Sequence, residues 1–222
     1  MGMAEEFWED PDRVDRFAAR DPDHRLVELV RRYPDPSRIK VLDLGCAAGR
    51  NTVLLARLGF QVHALDASRA MVERTAERLR AAVGEQAASG RVRLARMDDL
   101  SFCPAAAFDL VVALGVHHAA RSRAEWDRAV DETARVLKPA GLLLFSQFAP
   151  GTDLTGAGIT PVPGEEGVFE GLPAGRAVLL DAADVDAAFA LRGLIPEAPT
   201  RTVVVELEVG RRASVNGLYR RV

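Results

Sequence analysis

Five short apolar runs alternate with segments of helical periodicity, and that alternation narrows this chain to one fold class. The runs are "KVLDLG" from Lys40, "FQVHALD" from Phe60, "RVRLARM" from Arg91, "FDLVVALG" from Phe108 and "GLLLFSQF" from Gly141. Runs this short and this apolar suit strands covered on both faces. Between them, "RNTVLLARLG" reads as a helix closed by Gly59. Val72, Ala76, Leu79 and Val83 then recur along one helical face, and "AEWDRAVDETARVLK" is a further amphipathic helix ended by Pro139 and Gly141. Strands joined through helices pair in parallel, because the connection must cross back over the sheet. The expected fold is therefore α/β, a doubly wound and mostly parallel sheet.

Both ends depart from this rhythm. "TRTVVVELEVGRRASVNGLYRRV", from Thr200, reads as two strands turning at Gly210, Arg211 and Arg212, an antiparallel hairpin at the sheet edge. Val203, Val205, Leu207 and Val209 fall on one face of it, with Val204, Glu206 and Glu208 on the other. Residues 151–176 hold ten glycines and prolines in 26 positions, the composition of a long loop that is either functional or disordered. Near the start, "DPDHRLVELVRRY" is expected to be a helix capped by Asp21, with Leu26, Val27, Val30 and Tyr33 as its apolar stripe.

Composition excludes some functions. A formal charge of −3 gives no broad positive field, so no nucleic-acid partner is expected. Cys46 and Cys103 lack metal-ligand spacing, and no metal is expected. No apolar run is long enough to span a bilayer, and the acidic start "MGMAEEFWED" is unlike a secretory signal. A cytoplasmic protein without a membrane partner is the expectation.

The turn after the first strand, "VLDLGCAAGR", carries the chemistry. A dinucleotide-binding turn would read G-x-G-x-x-G. Here Ala47 replaces the middle glycine, and Gly49 comes one residue early. Asp43 stands two positions before Gly45, a poor neighbour for a pyrophosphate and a good one for a cation. Asp66 ends the second strand 21 residues after Gly45, where a carboxylate can accept from both hydroxyls of a ribose. A ribose and a cationic group without phosphate describe S-adenosylmethionine.

In order and at normal spacing, "VLDLGCAAGRN", "VHALDAS", "FDLVVALGVHH" and "RVLKPAGLLLF" make residues 40–148 resemble the class I S-adenosylmethionine-dependent methyltransferases. Their spacing is most similar to bacterial small-molecule methyltransferases, including those linked to tellurite resistance. The resemblance implies a Rossmann-like, seven-stranded sheet, S-adenosylmethionine as cofactor, and direct in-line methyl transfer to a small-molecule acceptor. It divides one domain into an N-terminal lid (1–36), a cofactor-binding core (37–150), and an acceptor loop, helix and hairpin (151–222).

Carried over residue by residue, Gly45, Cys46, Ala47 and Gly49 wrap the methionine part and ribose. The helix beginning at Arg50 and Asn51 points its N-terminus at the methionine carboxylate, and Asp43 faces the amino group. Asp66, Ala67, Ser68 and Met71 lie beside the ribose and adenine, Met97 and Asp98 beside the adenine, and Leu114 and Gly115 beneath the sulfonium. His117 and His118 are the candidate catalytic residues, neighbours competing for one role as base.

The chain departs from the family pattern at Ala47, which is expected to keep a negative φ, at Ala140 and at Arg96. The family often has Asp or Asn at the position of Arg96, contacting adenine. Either Arg96 turns to solvent and the Met97 backbone reads the adenine, or Asp98 or Asp99 supplies the acceptor. A non-catalytic S-adenosylmethionine-binding protein and a nicotinamide-dependent oxidoreductase are the alternative functions, and a monomer or a homodimer is expected.

Overall fold

The computed structural model describes residues 3–222, with side chains from Glu6 onward; Met1 and Gly2, at the start of the expected lid, lie outside the described residues. Three helices open the chain: α1 (Met3–Glu9), α2 (Pro11–Ala18) and α3 (His24–Val30). The cap of α3 is Asp23 and not Asp21: its carboxylate accepts from the Arg25 amide at 2.9 Å, and Pro22 stands outside the helix. Leu26, Leu29 and Val30 are the buried side of α3, whereas Val27 and Tyr33 are half-buried.

The expected alternation follows as β1 (Lys40–Leu44), α4 (Arg50–Arg57), β2 (Gln61–Asp66), α5 (Arg69–Val83), α6 (Glu85–Ala88), β3 (Val92–Leu94), β4 (Phe108–Leu114), α7 (Arg123–Val136) and β5 (Leu137–Phe148). After it come β6 (Thr160–Pro161), β7 (Val168–Leu172), β8 (Gly175–Val178), α8 (Ala182–Ala190), β9 (Leu194–Pro196), β10 (Arg201–Glu206) and β11 (Arg211–Arg221).

The large sheet runs β10-β11-β5-β4-β1-β2-β3, parallel from β5 to β3 and antiparallel at β11 and β10. Short β9 pairs with the end of β11 as an eighth strand, one more than the seven expected. Alternate residues of each strand serve opposite layers. Val41, Val62, Leu110, Val112 and Leu144 pack under α3, α4 and α5. Leu42, Leu44, Val111, Ala113, Phe145 and Val215 pack under α7 and α8, around the fully buried Trp126 and Phe189.

Several elements differ from the sequence reading for local reasons. β3 shrinks to three residues at the sheet edge, with Arg93 and Leu94 exposed. α5 buries Met71, Thr75 and Leu79, leaving Val72, Ala76 and Val83 half-buried, a face rotated toward the glycine turn. Residues 151–176 are no plain loop: β6, β7 and β8 form a small antiparallel sheet whose Leu172, Ala177 and Leu179 pack with Phe148.

α7 ends at Val136 and passes straight into β5, so Pro139 and Gly141 lie within the strand, where its register against β4 jumps. Ala140 there has a φ of 63°. The left-handed conformation costs an L-residue about 1–2 kcal/mol, against about 0.5–1 kcal/mol of chain entropy lost by a glycine. Ala140→Gly is expected to raise the thermal midpoint by roughly 1–4 °C. A lower midpoint would mean that the Ala140 methyl packs well enough to outweigh its strain.

Candidate functional site

Strand order reverses between β1 and β4, and the helices that follow them leave to opposite faces, so their carboxyl ends open a crevice. The turn from Gly45 to Gly49 rises into it. Gly45 and Cys46 donate their amides to the Leu65 carbonyl, each at 2.9 Å, which ties the turn to β2. Gly45 has a φ of 72°, and a Cβ added to it would lie 2.6 Å from Val116 Cβ; one added to Gly49 would lie 2.9 Å from Thr75 Cγ2. The backbone here must stay bare.

Ala47 does not keep the negative φ expected of it: its φ is 49°. Two hydrogen bonds hold it there. Its amide donates to Asp66 Oδ2 at 2.8 Å, and Thr75 Oγ1 donates to its carbonyl at 2.6 Å. Arg78 Nη1 clamps the next carbonyl, that of Ala48, at 2.5 Å.

Asp43 is only 2% exposed and accepts from Thr52 Oγ1 at 2.6 Å. Burial pushes its carboxyl up to about 6; the Thr52 hydroxyl and Arg50 oppose the shift, and Asp66 adds to it. Asp66, half-buried at the end of β2, is also raised by burial, and the Ser68 and Ala47 amides pull it back. Among the described residues these two carboxylates bond only to hydroxyl and amide donors, with no ion-pair partner. The crevice therefore has an unneutralised negative pole, which fits a cationic, hydroxyl-bearing ligand and repels a pyrophosphate.

The remaining sequence candidates divide. Cys46 is buried, its thiol is driven well up by burial, and among the described residues its sulfur hydrogen-bonds to Thr75 Oγ1 and the Ala47 carbonyl. Arg50 Nη1 donates to the Asp21 carbonyl at 3.1 Å, and Asn51 Oδ1 accepts from the Asp23 amide at 3.0 Å, tying α4 to the N-terminal segment. Ser68, which follows the exposed Ala67, caps α5 through the Met71 amide at 3.2 Å and donates to the Trp8 carbonyl at 3.1 Å. Glu9 accepts from the Arg69 and Ala70 amides, so α1 is latched across the start of α5. Trp8, Val14 and Phe17 pack with Ala47, Ala48 and Met71 directly over the turn.

Met97 lies in the main core with Leu65 and Leu100. Both oxygens of Asp98 are engaged, by Arg96 at 2.9 Å and Arg128 at 3.1 Å, and Arg96 also bonds Glu125 at 2.5 Å. Leu114 and Gly115 end β4 at the crevice, Gly115 with a φ of 81° and its amide on the Ser146 carbonyl at 2.7 Å.

The two histidines point apart. His117 is buried toward α7: the Thr133 hydroxyl donates to the Ala129 carbonyl, so His117 Nε2 donates to Thr133 Oγ1 at 3.2 Å. Burial holds its imidazole down to about 4. His118 stacks on the Phe148 ring with centroids 4.0 Å apart, and its Nδ1 accepts from the Phe148 amide at 3.4 Å. Its Cε1 lies 3.8 Å from where a Gly115 Cβ would stand, beside the crevice. Burial, then the neighbouring His117, pushes His118 down to about 3. Thr52, Thr75 and Arg78 escaped the sequence reading, because polar residues on a helix ordinarily face water.

Residues 41–141, the span from β1 into β5 that builds this crevice, match the family model described as a methyltransferase domain. This part of the chain is similar to a methyltransferase domain. Solved structures share the fold of the chain well beyond that span. The PH0226 protein of Pyrococcus horikoshii is 21% identical, with 97% of this chain and 93% of that one covered at a TM-score of 0.66. A Burkholderia thailandensis 1,6-didemethyltoxoflavin-N1-methyltransferase, solved with 1,6-didemethyltoxoflavin and S-adenosylhomocysteine, is 18% identical, with 89% and 76% covered and a TM-score of 0.64. The sugar N-methyltransferase KedS8 of a Streptoalloteichus species is 24% identical, with 86% and 85% covered and a TM-score of 0.59. No curated protein matches the chain. Among its described residues no helix is long and apolar enough to cross a membrane.

Proposed function

We propose that this methyltransferase moves a methyl group from S-adenosylmethionine to a small-molecule acceptor by direct in-line displacement. The observation that carries this reading is the unneutralised Asp43–Asp66 pair, set on either side of a turn that admits no added Cβ. S-adenosylmethionine, when bound, supplies a methyl group on a sulfonium cation. Asp43 holds its amino group, and Asp66 takes the ribose hydroxyls. The backbone from Gly45 to Gly49 wraps the chain between them, and the first amides of α4, with Arg50, receive the carboxylate. Ala67, Ser68 and Met71 wall the ribose side, and Gly115 keeps the exit of β4 open.

α1 and α2 exclude water from one side, and the β6–β8 sheet over Phe148 does so from the other. Excluding water and aligning the acceptor supply most of the rate. His118 acts by orientation and not as a base. Its Nδ1 already accepts a backbone proton, so in the neutral ring Nε2 carries the hydrogen and donates. His117, turned into the core, takes no part. The small-molecule acceptors of the toxoflavin-precursor and sugar methyltransferases support an acceptor of that size here. A screen with methyl-labelled cofactor should place label in the small-molecule fraction; label in protein or nucleic acid would reject the acceptor class, and binding without transfer would favour a non-catalytic protein.

Asp43 gives the reading a pH signature. With its carboxyl raised to about 6, its contribution to the stability of the empty protein is full below about pH 4 and is lost as pH rises through about 6. Holding an ammonium group requires the carboxylate form. Cofactor affinity should thus be flat above about pH 6 and fall by up to about tenfold per unit below it. His118, held down to about 3, adds no limb in that range. Calorimetric titration from pH 5 to 8 checks this, and Asp43→Asn should flatten the slope. A wild-type affinity unchanged across that range would remove Asp43 from the contact.

A further inference from the structure

The outer strand of the C-terminal hairpin is not covered, although Ala213 and Val215 of β11 beside it are buried. β10 is the outermost strand of the large sheet, and every residue from Arg201 to Val209 is exposed. Val203, Val204 and Val205 are 45%, 53% and 39% exposed, so both faces of the strand show aliphatic surface to water. Edge strands normally carry a lysine, a proline or a bulge that blocks pairing. β10 has neither residue, and its register with β11 runs unbroken from Arg201 to Glu206.

The backbone says which groups are free. In the hairpin, Leu207 donates its amide to the Gly210 carbonyl, so Val205, Val203 and Arg201, at steps of two, also bond inward to β11. The Ala213 carbonyl accepts from the Ala149 amide beside β5, which turns it away from its β10 partner Val204. Both observations assign the same parity: Thr202, Val204 and Glu206 aim their amides and carbonyls off the open edge.

We propose that β10 is the seam of a homodimer, with two copies of the chain pairing this strand antiparallel about a twofold axis at Val204. That axis sets Val204 against its own copy and Thr202 against Glu206, so every outward amide and carbonyl of both strands finds a partner. Moving the axis to Val203 or Val205 leaves an outward position of each strand unpaired within the strand. The same register puts Val203 beside Val205 on one face and Val204 beside Val204 on the other, the aliphatic cross-strand pairs that stabilise a sheet. No like charges meet, since Glu206 faces Thr202 and Arg201 faces Leu207. A strand that is complementary to itself in hydrogen bonding, shape and charge fits a second copy of itself. The joined sheet is continuous, and β11 and β5 separate the seam from the crevice.

Sedimentation velocity from micromolar to submillimolar concentration tests this. Wild-type protein should show a reversible monomer–dimer equilibrium. Val204→Pro should be monomeric with unchanged circular dichroism and cofactor affinity, because the lost amide faces outward and the β11 ladder is intact. Val204→Lys provides a second variant with the same expected result. Under oxidation Val204→Cys should form a covalent dimer, its Cα atoms about 5.5 Å apart in a hydrogen-bonded pair, with both native cysteines buried. Thr202→Cys, about 14 Å from its copy, should not crosslink. A wild type monomeric throughout, dimers persisting in both Val204→Pro and Val204→Lys, open-ended oligomers, or crosslinking at Thr202 would each overturn the proposal.

Discussion

Asp66→Ala should weaken S-adenosylmethionine binding by about 10- to 150-fold, the loss of a charge-assisted contact of about 1.5–3 kcal/mol. The carboxylate has two tasks. It accepts from the Ala47 amide, which helps to hold that residue in its left-handed conformation, and from the Ser68 amide at the start of α5. Removing it frees the turn as well as the proposed ribose contact, so the expected loss lies toward the upper end of that range. Asp66→Asn separates the two tasks, since the retained carbonyl oxygen can still accept one backbone amide while the charge is gone. Its affinity should fall between those of the wild type and Asp66→Ala by isothermal titration. An Asp66→Ala protein that binds within about threefold of the wild type would confine Asp66 to shaping the turn.

Gly45→Ala should cost about 2–5 kcal/mol of stability, combining about 1–2 kcal/mol for a left-handed L-residue with about 1–3 kcal/mol of overpacking. The new methyl would stand 2.6 Å from Val116 Cβ, an atom at the base of its side chain that cannot swing aside. Gly90→Ala is the control: its φ of 69° is similar, but nothing lies within 4 Å of the added Cβ, so only the conformational part should appear in urea denaturation. Val116→Ala in the Gly45→Ala background should recover part of the loss, a coupling that a double-mutant cycle measures. Equal losses at Gly45 and Gly90, with no coupling to Val116, would show that the turn is not packed against the exit of β4.

How far the sequence reaches depends on how local the determinant is. β1, β2, β4 and α4 follow from periodicity within their own segments, and Asp43, Gly45, Gly49 and Asp66 stand out because turn chemistry is local too. Thr52 and Thr75 were not legible, since a threonine on a helix looks the same whether it meets water or a buried backbone. The φ of Ala47 depends on hydrogen bonds from Asp66 and Thr75, which no reading of the turn alone contains. His117 and His118 are adjacent in a tight turn, and only the packing of Thr133 and Phe148 separates their directions. Pro163, Gly164, Gly167 and Pro173 mark the turns of the β6–β8 sheet, while its strands are too short to show a period. The alternation in β10 correctly marks a strand, but it carries no information about whether a second layer covers it.

The most direct measurement is calorimetric titration of the wild-type protein with S-adenosylmethionine and, separately, with NADH near neutral pH. The account predicts saturable binding of S-adenosylmethionine that weakens in Asp66→Ala, and no heat from NADH. Tight binding of NADH with none of S-adenosylmethionine would contradict it, because Asp43 would then stand beside a pyrophosphate.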